Sequence, residues 1–170
     1  MNKTPCASCF NPKSTHTCDQ CGVRICKKCL QQNAASDYPL MQKVPEILEK
    51  EIFCPSCFDK DVLPLAQDYQ AKEQAAHNLT YFSKIQSKET RLMSRKEPAI
   101  SIKDCHDRQE VILKLAFMTV EMNFNSMIDV DTVSEKLRNG GYQTLRWSGS
   151  AIPVNLDLEK LELREKRRLS

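Results

Sequence analysis

An α+β fold is expected, built as a small metal-held finger followed by a helix and a small α+β domain. Three observations predict it. Eight of the nine cysteines fall in four C-x-x-C pairs between Cys6 and Cys57. A helical apolar pattern follows Asp107. Beyond it, strand-like alternation recurs on either side of the turn signal Asn139-Gly140-Gly141. At 170 residues the chain allows one domain or two small ones. The expected division is a finger at 1–60, a helix and charged linker at 61–98, an α+β domain at 99–158 and a charged tail at 159–170.

The pairs are Cys6/Cys9, Cys18/Cys21, Cys26/Cys29 and Cys54/Cys57. A C-x-x-C turn points two thiolates at one ion, and zinc takes four soft ligands in a tetrahedron, so two turns close one site. Four turns predict two structural zinc ions. A disulfide framework would need an oxidising compartment, and Met1-Asn2-Lys3-Thr4-Pro5-Cys6 has no apolar run of a secretory signal. A reducing cytosol is the expected location. Thioredoxin-like redox pairs come once, not four times. Only four residues separate Cys21 from Cys26, too few to fold adjacent pairs onto one ion. The economical solution is a cross-brace, with first and third pairs sharing one zinc and second and fourth sharing the other.

The run Cys18-Asp19-Gln20-Cys21-Gly22-Val23-Arg24-Ile25-Cys26-Lys27-Lys28-Cys29 resembles the central signature of FYVE zinc fingers. That resemblance implies a treble-clef, cross-brace scaffold over about the first third of the chain. Zinc one would take Cys6, Cys9, Cys26 and Cys29; zinc two would take Cys18, Cys21, Cys54 and Cys57. FYVE fingers that bind phosphatidylinositol 3-phosphate carry a basic R-[RK]-H-H-C-R run. The matching stretch here is Ser14-Thr15-His16-Thr17-Cys18-Asp19, without the arginines and with an acid last. Phosphate recognition needs charge-assisted donors in a fixed fork, so the scaffold is carried over and the lipid is not. Phe10-Asn11-Pro12-Lys13 is short and polar for a membrane-inserting loop. His16 is expected beside the site or on the surface, since cysteines fill both sites. Cys54-Pro55-Ser56-Cys57 is similar to the end of a RING finger, but the middle ligands are not.

The formal net charge of +3 counts cysteine as neutral. Two zinc ions with four thiolates each add +4 − 8 = −4, which leaves −1 and removes the simple case for nucleic acid. No apolar run is long enough to span a bilayer. Between Cys29 and Cys54, Leu40, Val44, Ile47 and Leu48 lie at helical spacing and suggest a short helix completing the finger's core. After Cys57, Asp61 can cap a helix with Pro64 in its first turn, along a stripe of Leu65, Ala66, Tyr69, Ala76 and Leu79. Tyr81 to Ile85 suggests a strand, and the charged residues of 86–97 a solvated linker.

In the second half, Asp107 can cap a helix reaching about Met122, apolar on more than one side and so packed on a sheet. Ser126 to Val133 alternates as a strand with one buried face. Tyr142 to Trp147 and Ala151 to Leu156 suggest further strands broken at Ser148-Gly149-Ser150. Trp147 and Tyr142 are expected in the core, and 156–169 as a surface helix. Asn123-Phe124-Asn125-Ser126-Met127-Ile128-Asp129-Val130 and Gly149-Ser150-Ala151-Ile152 resemble the two signature strands of the YbjQ-type bacterial domains, described as heavy-metal-binding. The resemblance implies an α+β sandwich, often oligomeric, and so admits a homo-oligomer through this domain. Adjacent Cys105 and His106 are expected as ordinary residues at the start of a helix, not as a metal or nucleophile site.

No phosphate-cradling glycine loop, G-x-S-x-G elbow or H-E-x-x-H is present. No enzyme is therefore expected. The expected function is a zinc-binding adaptor contacting protein partners. A phosphoinositide reader and a RING-like ubiquitin ligase are the alternatives.

Overall fold

The computed structural model describes residues 4–86, 90, 93–139 and 142–157. It is α+β and divides into two compact units, Met1–Ala71 and Lys72–Ser170. No described helix is long and apolar enough to cross a membrane.

In the first unit, β1 (His16–Thr17) pairs antiparallel with β2 (Arg24–Ile25), and β3 (Gln31–Gln32) with β4 (Ile52–Phe53). Such short strands cannot supply a sheet core. Ile25, Leu48, Phe53 and Val62 are fully buried instead, with Tyr38, Leu40 and Tyr69 nearly so. The insert between Cys29 and Cys54 is ordered by one buried side chain. Asn33 Nδ2 donates to the carbonyls of Leu48 (2.6 Å) and Lys50 (3.2 Å), and its Oδ1 accepts from the Tyr38 hydroxyl at 2.6 Å. Tyr38 in turn meets Tyr69 edge-on at 5.1 Å. The helix expected in this insert is the single turn α1 (Glu46–Glu49), after Pro45.

The closing helix starts earlier than Asp61. Cys54 is the N-cap of α2 (Pro55–Cys57), with Pro55 at its first position. The chain then passes through one π-turn (Phe58–Val62) into α3 (Leu63–His77). Pro64 has no N–H for the carbonyl of Lys60, and a widened turn just before it accommodates the missing bond. Val62, Tyr69 and Ala76 form the buried stripe at a seven-residue spacing.

The second unit is a four-stranded sheet in the order β5 (Thr80–Ser83), β7 (Ser126–Asn139), β8 (Tyr142–Val154), β6 (Ile100–Cys105). β5 runs parallel to β7; the other pairs are antiparallel. α4 (Arg108–Glu121) packs on it through Val111, Leu115 and Phe117, all fully buried. Asp107 caps α4 as expected, its Oδ1 accepting from the Glu110 N–H at 2.8 Å. At the other end Asn123 takes φ 62°, and the N–H groups of Asn123 and Phe124 bond back to Val120 and Thr119, a Schellman stop.

Several expectations change here. β6 was not anticipated, and it places Cys105 at a strand end opposite Trp147. β8 is one strand, unbroken at Gly149. A Cβ there would stand 2.6 Å from Val111 Cγ1 and 2.7 Å from the Asp131 carbonyl, so this glycine serves close approach of α4, not a turn. β7 buries Ser126, Met127 and Ile128 in succession, and Asp129 at φ 52° marks the bulge that shifts its register. Trp147 is half-buried. Within 86–97, Thr90 is fully buried and Arg95 clamps Asp129 with two bonds of 2.6 and 3.0 Å. The Gly140-Gly141 turn and the tail from 158 onward lie outside the described residues.

Candidate metal centres

Each C-x-x-C forms the same local turn. The N–H four residues after the first cysteine donates to that cysteine's carbonyl: Phe10 to Cys6 (2.9 Å), Gly22 to Cys18 (2.9 Å), Leu30 to Cys26 (3.1 Å) and Phe58 to Cys54 (3.0 Å). This closure turns both thiols of a pair to one side. Phe10 and Gly22 occupy equivalent places and both adopt positive φ, 59° and 76°. Glycine does so freely, whereas phenylalanine incurs the left-handed penalty.

The turns meet in alternation. Cys6, Cys9, Cys26 and Cys29 bring their sulfurs within 4.8 Å of one another, and so do Cys18, Cys21, Cys54 and Cys57. First joins third and second joins fourth, the cross-brace expected from the spacing. Contacts between pairs are 3.5 Å for Cys9 Sγ to Cys26 Sγ and 3.8 Å for Cys21 Sγ to Cys54 Sγ. Four sulfurs about 2.3 Å from a central zinc stand about 3.8 Å apart. The observed separations match a tetrahedron and far exceed a bond of about 2.05 Å. All nine cysteines are free thiols. The donor set is soft, fourfold and closed, and it fits two zinc ions.

The electrostatics favour thiolate at Cys6, Cys18 and Cys26, whereas burial raises Cys54. The backbone N–H of Cys9, with those of Cys26 and Ser8, holds Cys6 at about 6, against an ordinary 9. Burial pushes Cys18 up, but the backbone N–H groups of Cys21, Cys54 and Gln20 outweigh it and bring it to about 7. Conversely, the Cys9 side chain, then burial, pushes Cys29 up to about 12, and burial first of all raises Cys57. Four crowded thiols divide their protons unequally, and metal binding displaces the remainder.

The two sites are braced by side chains next to the knuckles. Asp19 accepts the Ile52 N–H (2.8 Å) and the Glu51 N–H (3.2 Å) on its carboxylate. Its own N–H donates to Ile52 O at 2.8 Å, so it ties the second knuckle to the strand that delivers Cys54. Arg24 donates to the Ser14 carbonyl at 2.7 Å, and the Ser14 hydroxyl to Thr4 O. His16 sits in β1, half-buried and outside both sulfur groups. Asn33 had no sequence signal, because its partners are 15 and 17 residues away.

Among the described residues no further group of three or more ligands converges. Cys105 is fully buried and its thiol is pushed up by burial. His106 is an exposed neighbour whose backbone N–H and Nδ1 both meet Glu110 Oε2, at 2.7 and 3.0 Å. No family model matches this chain, and neither a curated protein nor a solved structure does.

Proposed function

We propose that this chain is a zinc-binding, non-catalytic interaction protein whose finger and α+β unit present surfaces to protein partners. The observation that carries this reading is closure. Each candidate centre supplies four sulfurs, so a tetrahedral zinc there has no position left for a water or substrate. Such zinc builds shape and supplies no turnover. Phe10 is 77% exposed at the tip of the first knuckle and offers that shape an apolar contact. The finger's scaffold is of FYVE type in this reading, with the pair alternation and the Cys-x-x-Cys-Gly turn as support. Its ligand is protein and not phosphoinositide, since Asp19 replaces the arginine and its carboxylate is engaged on backbone N–H groups.

Co-sedimentation of the zinc-loaded chain with vesicles containing phosphatidylinositol 3-phosphate tests the reading against a membrane role. An autoubiquitination assay, with Cys54→Ser as control, tests it against a ligase. No lipid-dependent pelleting and no ubiquitin transfer are expected. Pelleting that Phe10→Ser abolishes, or transfer that Cys54→Ser abolishes, overturns the reading.

A further inference from the structure

The central strands of the second unit outrun their neighbours. β5 pairs with β7 only as far as Val130, and β6 pairs with β8 only between Trp147 and Ala151. Past those points β7 and β8 stay paired with each other as far as Asn139 and Tyr142. The result is a projecting two-stranded ribbon, with no strand along either outer edge among the described residues. A ribbon of two strands is marginal in water without cover.

Its two faces differ. Gly149 faces α4, as its closeness to Val111 shows. By strand alternation Thr132, Ser134, Lys136 and Arg138 share that face with their partners Trp147, Leu145 and Gln143, Leu145 being 50% exposed. The opposite face carries Val133, Glu135 and Leu137, registered against Ser148, Arg146 and Thr144. Val133 is 59% exposed and Leu137 42%. Between these two apolar side chains lie Glu135 and Arg146, one of each sign, directly opposite each other.

We propose that this face is a homodimer interface. Two copies pack ribbon on ribbon about a two-fold axis, covering Val133 and Leu137 and setting Glu135 of each copy against Arg146 of the other. A two-fold contact demands a surface complementary to itself. A balanced pair of opposite charges flanked by apolar groups meets that demand, because an axis along the strands lays β7 of one copy over β8 of the other. The α4 side of the ribbon does not: it has apolar Leu145 and Trp147, but its charges are Lys136 and Arg138 with no acid to face them. That side would suit a polyanion, so nucleic acid is the competing occupant. The proposal is independent of the zinc centres.

Sedimentation velocity of the full zinc-loaded chain over a wide concentration range decides it. The expected species is a dimer. Glu135→Arg alone and Arg146→Glu alone each weaken self-association by about a hundredfold or more, since like charges then face each other. Mixing the two single variants restores a dimer, because each reversed charge meets its complement in the other chain. Damage confined within one ribbon is not repaired by mixing. Val133→Ser, which changes no charge, weakens the dimer as well. A monomeric wild type, a dimer indifferent to all three substitutions, or single variants that stay monomeric when mixed overturns the proposal. So does a monomer that binds a single-stranded oligonucleotide through the ribbon.

Discussion

Each strand of the finger is two residues long and α1 is four, whereas the second unit carries strands of 14 and 13 residues and a 14-residue helix. The finger has a handful of buried apolar side chains joined by knuckles; the second unit has a helix laid on a sheet. The difference shows where stability resides. Elements this short cannot fund their own ordering, so the finger depends on metal, at about 10–16 kcal/mol of apparent binding energy per structural zinc. The second unit draws on apolar burial and ladder hydrogen bonds. Cysteine chemistry should therefore perturb one unit, and side-chain volume the other.

The largest expected effect is on the finger. Cys26→Ser removes a buried ligand that stands 3.5 Å from Cys9 Sγ. It should abolish binding of one zinc and unfold the finger, seen as loss of one metal equivalent and of amide protection over 6–57. Trp147 is the single tryptophan and lies in β8, so its fluorescence reports the second unit alone and should not change. A red shift of Trp147 in this variant would break the division.

Next comes the reverse experiment. Gly149→Ala places a methyl 2.6 Å from Val111 Cγ1 and 2.7 Å from a backbone oxygen. It should cost about 1–3 kcal/mol, the range for overpacking, in a denaturant titration followed by Trp147. Zinc stoichiometry should remain two.

Acid distinguishes the units further. The Lys114 ammonium, helped by the His106 N–H, lowers Glu110 from 4.5 to about 2. A depressed carboxylate stabilises the fold fully above its unfolded value and loses that contribution as pH falls toward the folded one. Stability followed by Trp147 should thus decline between pH 4.5 and about 2, and Glu110→Gln should flatten that decline. The smallest effect sharpens the account of the knuckles. Phe10→Gly removes a left-handed phenylalanine and should stabilise the finger by about 1 kcal/mol, whereas Gly22→Ala should cost a similar amount. Competition with a chelator measures both.

How much of this was legible in the sequence depends on the reach of each signal. The convergence of eight cysteines in two groups of four, and their alternation, was legible because a C-x-x-C turn is local and the gap of four residues constrains its neighbours. The cap at Asp107 was legible for the same reason. Asn33 was not, since a clamp reaching 15 residues along the chain leaves no local trace. β6 was missed because only Ile100 and Ile102 alternate before the bulge at Asp104, which has φ 61°. Gly149 suggested a break because a glycine serving close approach carries the same letter as one serving a turn. Likewise, Pro64 suggested a helix start, although the helix passes through it after one π-turn.

Native mass measurement of protein purified without chelator, repeated after chelation with amide exchange, tests the central claim most directly. Two zinc ions per chain are expected before chelation, with protection lost over 6–57 and kept over β6, α4, β7 and β8 afterward. A chain that carries no stoichiometric metal, or whose Cys6–Cys57 segment stays protected once the metal is gone, would contradict it.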